Sequence, residues 1–115
     1  MTIEDIETEA RRILNDTFEE YRWASSEIES HLQEAIGALN AIRPETRYVN
    51  GALVDFVELP QGDDRRESQL AIHPRYREAL VYYVVHKCYL DDDTDTANQA
   101  LAESYLAKFN TKAQL

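Results

Sequence analysis

The residues with most to offer chemistry in this 115-residue chain are an acidic run, three histidines, one cysteine and an arginine doublet. Asp91, Asp93 and Asp95 fall on the first, third and fifth positions of a calcium-binding loop. The sixth position, where the sharp turn needs glycine, is Thr96, and the twelfth, where a bidentate glutamate belongs, is Ala102. The run Asp91-Asp92-Asp93-Thr94-Asp95 therefore reads as a solvated helix-capping corner. His31 and His73 stand apart, and His86 and Cys88 are two positions apart and so point to different faces of a helix, which leaves no zinc spacing. His31 and Glu34 make a local pair at i, i+3. Cys88 has no second cysteine to bridge and lies in an apolar run, so it reads as a small buried hydrophobe rather than a nucleophile. Arg65 and Arg66 are flanked by Asp63, Asp64 and Glu67, the pattern of a charge-balanced loop able to form salt bridges across a subunit boundary. Gly37, Gly51 and Gly62 are too scattered to cradle a phosphate, and with so many acids any Ser/His/Asp order could arise by chance. No catalytic residue, cofactor or metal is expected.

Charge and size set the next limits. Asp and Glu number 22 against 12 Lys and Arg, a formal net charge of -10. Direct duplex binding draws its energy from counterions displaced by basic side chains, so this balance argues against it. A negative surface suits a basic partner, nucleic-acid mimicry, or a passage through which DNA slides without sticking. The length is that of one domain, residues 1–115, which hides roughly 65% of its unfolded surface and has little room for an internal active site. The acidic start, Met1 to Asp5, lacks the layout of a secretory signal, and no apolar run approaches the ~20 residues of a bilayer span. A reducing cytoplasmic setting without membrane contact is the expectation.

The elements that must position these residues are mainly helical. The periodicity predicts a small four-helix bundle, with helices at about 2–16, 26–43, 74–90 and 95–111 and a short β-hairpin or extended insertion at 45–72. Thr2 caps the first helix, whose apolar positions are Ile3, Ile6, Ala10, Ile13 and Leu14. The connector Thr17 to Trp23 carries Phe18, Tyr21 and Trp23, which suggests an aromatic plug for one end of the helix pair, the alternative being an exposed contact. Ser26 and Glu29 form a capping-box pattern ahead of the stripe Ile28, Leu32, Ala35, Ile36, Leu39 and Ile42, which Pro44 ends. Gly37 within the stripe fits close approach of a neighbouring helix or a tolerated accident. After Pro44, Asn50-Gly51 predicts a tight hairpin between Arg47-Tyr48-Val49 and Ala52-Leu53-Val54, with Gln69 to Ile72 expected to return as a partner strand. Pro74 opens the third helix, where Leu80, Tyr83 and Val84 join Val81, Tyr82 and Val85 to make it apolar nearly all round. Thr94 or Asp95 caps the fourth, whose inner stripe is read as Ala97, Ala100, Leu101, Tyr105, Leu106 and Phe109. Trp23, Ile28, Leu32, Ile36, Leu39, Leu80, Tyr83, Val84, Leu101 and Tyr105 are the expected packing residues.

Two stretches carry a resemblance. Arg22-Trp23-Ala24-Ser25-Ser26-Glu27-Ile28-Glu29, followed by Leu32, Ala35, Ile36, Leu39, Asn40 and Arg43-Pro44, is similar to the tryptophan-capped helix of bacteriophage head-tail adaptor proteins. Ile72 to Tyr83, Lys87-Cys88-Tyr89, Asp92, Asn98, Ala102, Tyr105 and Phe109 resemble their last two helices. The resemblance implies a helical bundle with a β-containing insertion, assembled as a ring, usually dodecameric, beneath the portal protein. Such a ring joins the portal to the tail or to further neck proteins in the virion and lets DNA pass without specific binding. It also implies that the insertion and the tail after Phe109 meet neighbours, which makes Tyr48, Val54, Phe56, Arg65, Arg66, Phe109 and Leu115 interface candidates. The insertion is much shorter than in longer relatives, so a missing sheet would come from another protein. Acids on the second or fourth helix are expected to line the channel. The competing reading is an acidic DNA mimic that inhibits a host nuclease or DNA-binding protein.

Overall fold

Residues 1–18, 21–91 and 96–114 are described by the computed structural model. The first helix, α1 (Ile3–Leu14), begins where the sequence places its cap: the Asp5 amide donates to Thr2 Oγ1 at 3.2 Å, and the Thr2 amide donates back to Asp5 Oδ2 at 3.0 Å. It ends at Asn15, which turns into the left-handed region at φ 57°. Ile3, Ile6, Ala10 and Leu14 are buried along one face.

The second helix, α2 (Ser25–Ile42), starts one residue before the expected capping box, with Ala24 at the cap and no side-chain cap bond. Ser25 Oγ instead donates to Glu7 Oε2 at 2.9 Å, and Glu29 is held by Arg65 and Arg66. Charge-assisted bonds to two guanidiniums outweigh a reach back to one backbone amide. The stripe Ile28, Leu32, Ala35, Ile36 and Leu39 is fully buried, as Pro44 and the helical period require. Of the three aromatics before α2, only Trp23 plugs the bundle at 6% exposure. Phe18 is 84% exposed, and Tyr21 lies under the Arg11 guanidinium, 3.8 Å from its ring centre.

Pro44 opens a single 3-10 turn, Pro44–Arg47, which leads into a two-stranded antiparallel hairpin, β1 (Tyr48–Val49) and β2 (Ala52–Leu53). Asn50 and Gly51 adopt φ 52° and 83°, the paired positive angles that a type I' turn demands. Gln69 to Ile72 does not join this hairpin. It runs beside the N-terminus, with an isolated bridge between Gln69 and Thr2 and the Leu70 amide donating to the Met1 carbonyl at 2.9 Å. Burial decides the matter, since Leu70 and Ile72 seal the base of the core.

His73 caps the next turn, its Nδ1 accepting from the Arg75 amide at 3.0 Å, and Pro74 begins a 3-10 turn that widens into α3 (Arg77–Asp91). This helix touches each of the other three, and Leu80, Val81, Val84, Val85 and Cys88 are buried on it. The last helix, α4 (Thr96–Ala113), rests chiefly on α3. Its buried face is Ala102, Phe109 and Ala113 with Tyr105 and Leu106 half-buried, so the predicted inner position Leu101 is displaced to the rim at 39% exposure, and Ala100 is exposed with it. Stepping back from Phe109 by helical spacing gives both 105-to-101 and 106-to-102, and the contact with α3 selects the second row. The residues read as a cap for this helix, Thr94 and Asp95, lie outside the described residues, as do Asp92, Asp93 and Leu115 and the side chain of Ala97. No helix among the described residues is long and apolar enough to cross a membrane.

Candidate subunit interface

The insertion between α2 and α3 carries the largest apolar exposure outside the connector. Tyr48 and Leu53 face each other across the hairpin and are 61% and 59% exposed, and Phe56 beyond β2 is 59% exposed. Val49 and Val54 are half-buried between them and the bundle. Phe56 forms a ridge between two shallow cavities. One, of about 370 Å³, is floored by Gly37, Asn40, Ala41 and Pro44, and the other, of about 420 Å³, by Val49, Val54, Val57 and Ala71. A Cβ at Gly37 would meet nothing within 4 Å, so the open cavity, not a neighbouring helix, accounts for the space beside it.

This arm is anchored by two polar side chains of α2. Gln33 Nε2 donates to the Val57 carbonyl at 2.8 Å while Gln33 Oε1 accepts from the Leu59 amide at 2.9 Å, so one amide group replaces a strand partner. Asn40 Oδ1 accepts from the Val57 amide at 3.3 Å, and its Nδ2 donates to Thr46 Oγ1 at 2.7 Å. The pattern Ile36 to Asn40 puts a polar residue on an apolar stripe, which was the available signal for Asn40; Gln33 gave none.

Past Pro60 the loop is clamped from inside. Arg65 reaches Glu29 at 2.8 Å, and Arg66 bridges Glu29 and Glu7. Glu7 also accepts from Arg11 Nε at 2.9 Å, and Arg11 continues to Asp16 Oδ2 at 2.7 Å. Asp16 then accepts from the amides of Arg22 and Trp23 at 2.9 and 3.3 Å. Burial alone would raise the Glu7 pKa, but bonds from Arg66, Arg11 and Ser25 more than offset it and hold the carboxyl below its ordinary value. Arg65 and Arg66, expected at a subunit boundary, thus serve pairs within the chain. Phe109, another boundary candidate, is 1% exposed and packs edge-on to Tyr83 at 4.9 Å between ring centres. Tyr48, Val54 and Phe56 remain grouped on the arm.

The groups read for chemistry are tied into packing. His31 Nε2 and Asp91 Oδ2 lie 2.7 Å apart, with Glu34 at 3.8 Å from Nδ1, and His86 Nδ1 lies 2.7 Å from the Ala102 carbonyl. Burial and the nearby charge of Asp91 push the Cys88 thiol up to about 12, where the thiolate is scarce near neutral pH. No group of three or more His, Cys, Asp or Glu among the described residues is placed to hold a metal ion.

Comparison with protein-family models, curated proteins and solved structures finds no match to this chain.

Proposed function

We propose that this chain is a structural subunit of a bacteriophage neck, a head-tail adaptor that assembles as a ring between portal and tail in the virion and surrounds the DNA conduit. The observation that carries the reading is the anchored arm: Tyr48, Leu53 and Phe56 hold large apolar surface in water on a segment that Gln33, Asn40, Arg65 and Arg66 keep in one place. Apolar surface displayed on a fixed support suits a partner protein. The acid surplus supports the same reading, because a negative wall repels the phosphates of passing DNA. Exposed acids occur on every helix, at Glu4, Glu27, Glu34, Glu78, Asp91 and Glu103, and the insertion adds Asp55, Glu58, Asp63, Asp64 and Glu67, the last three with Glu4 beside them. On α2, Glu29 is committed to arginines and Glu34 to Lys87 at 3.0 Å, and Glu27 is exposed in the first turn. The channel-facing element in this proposal is the insertion loop, where Asp63, Asp64 and Glu67 lie within five positions of one another, whereas α2 and α4 offer Glu27 and Glu103 singly. A DNA mimic would spread its carboxylates over an open face, whereas Glu7, Asp16 and Glu29 turn inward.

The test is co-purification of the tagged chain with the portal protein encoded by the same genome, paired with immunolabelling of virions in negative stain. A stable complex and label at the neck are expected. Mature particles lacking the chain would overturn the proposal.

A further inference from the structure

We infer that the apolar arm of one copy seats in a groove on α4 of the next copy, a head-to-tail contact that uses two different surfaces of the chain. The groove lies between Tyr82 of α3 and Ser104, Ala107, Lys108, Thr111 and Lys112 of α4, is shallow and open to solvent with a volume of about 450 Å³, and is mostly apolar. A space of that size accepts one aromatic side chain such as Phe56.

Charge selects the occupant. Two copies at -10 each repel, so a contact that sets a positive surface against a negative one is favoured over one that brings acids together. Among the helices, α1 carries Glu4, Asp5, Glu7 and Glu9 against Arg11 and Arg12, and α2 carries three acids and no base. On α3 the two signs balance. Only α4, with Lys108 and Lys112 against Glu103, has a positive excess, and both lysines rim the groove. The arm from Tyr48 to Leu59 is the counterpart, with Asp55 and Glu58 beside Phe56 and no basic residue. Lys108 lies over the Tyr105 ring at 4.4 Å, which holds it at the rim where an incoming carboxylate meets it, while Lys112 is paired with exposed Glu78 at 3.0 Å. Arm and groove share no residue, so the contact is heterologous, and repeating it builds a ring if the rotation closes. The contact deepens the neck reading by naming what joins the subunits, and rests on that reading only for the ring's place in the particle.

The experiment is site-directed cross-linking, using Phe56→Cys and Ala107→Cys with a short bismaleimide. Cys88 stays in place because it is fully buried and its thiol is raised to about 12. The two single variants, mixed at high concentration, should give a cross-linked dimer that neither gives alone, and the double variant should give a ladder beyond the dimer. Lys108→Glu and Asp55→Lys should each weaken self-association at least tenfold, and together should restore most of it. Each reaction is run with and without the portal protein. Phe56→Cys coupling to itself, or no mixed dimer in either condition, overturns the contact; if the portal still co-purifies, the neck reading survives that loss. A ladder from a chain that never binds the portal keeps the contact and removes the neck reading.

Discussion

Glu7 occupies a helical position where the apolar face of α1 would take a hydrophobic residue, four after Ile3 and three before Ala10. At 7% exposure it survives there only because Arg66, Arg11 and Ser25 bond to it. Its folded-state pKa lies below the unfolded value near 4.5, so its contribution is present above that pH and is lost as pH falls through the folded value. Replacing it by Gln leaves Arg66 with Glu29 and Arg11 with Asp16 but removes the buried charge they share, and Glu7→Gln should cost about 3 kcal/mol in urea melts at pH 7, with the gap from the parent narrowing below pH 4.5. An equal gap at pH 7 and pH 3.5 would refute the account. The α4 row gives a second check: Phe109→Ala should cost about 3–5 kcal/mol, and Leu101→Ala less than about 1 kcal/mol, both read by thermal melting. The sequence made Phe109 and Leu101 equal members of one stripe. Periodicity fixes which rows are possible on a helix, while the neighbour that covers one of them lies at long range.

The arm shows what local chemistry does and does not reveal at the scale of elements. Asn50-Gly51 announced the hairpin because few other pairs tolerate two positive φ angles, and Thr2 and Pro74 announced helix starts for equally local reasons. The capping box at Ser26 failed because Glu29 met arginines from a loop that follows it by some thirty-six positions, roughly the reach of a β-containing insertion, and spacing cannot reveal such a meeting. The docking of residues 57–59 on Gln33 was hidden for the same reason. Gln33→Ala removes two bonds worth about 1 kcal/mol each and should leave the bundle folded while the Leu59 amide exchanges faster by hydrogen-deuterium exchange. Unchanged protection at Leu59 would show that packing of Val57, not Gln33, holds the arm. Gly37 offers the opposite sign. Its Cβ position is open and the residue lies mid-helix, so Gly37→Ala should stabilise by about 1 kcal/mol in the same melts.

At the scale of the whole molecule, the distribution of charge bears on function more than its sum. Three acids, Glu7, Asp16 and Glu29, are buried in pairs and contribute little outward field, whereas Asp63, Asp64 and Glu67 are exposed on one loop with Glu4 alongside. In the proposed ring that loop would form a negative band from which phosphates are repelled, and its three acidic side chains are exposed rather than packed in the core. Changing Asp63, Asp64 and Glu67 together to Lys should therefore leave the melting temperature within a few degrees of the parent, because exposed surface positions rarely cost more than about 0.5 kcal/mol each. The same variant should acquire salt-dependent retention on duplex DNA, since each new lysine that meets a phosphate releases counterions. In phage carrying the variant, particles should assemble but package or eject DNA poorly, with plaque titre down at least tenfold. Normal titre from a variant that binds DNA in vitro would place the loop away from the conduit and leave the acid surplus without a role in DNA passage.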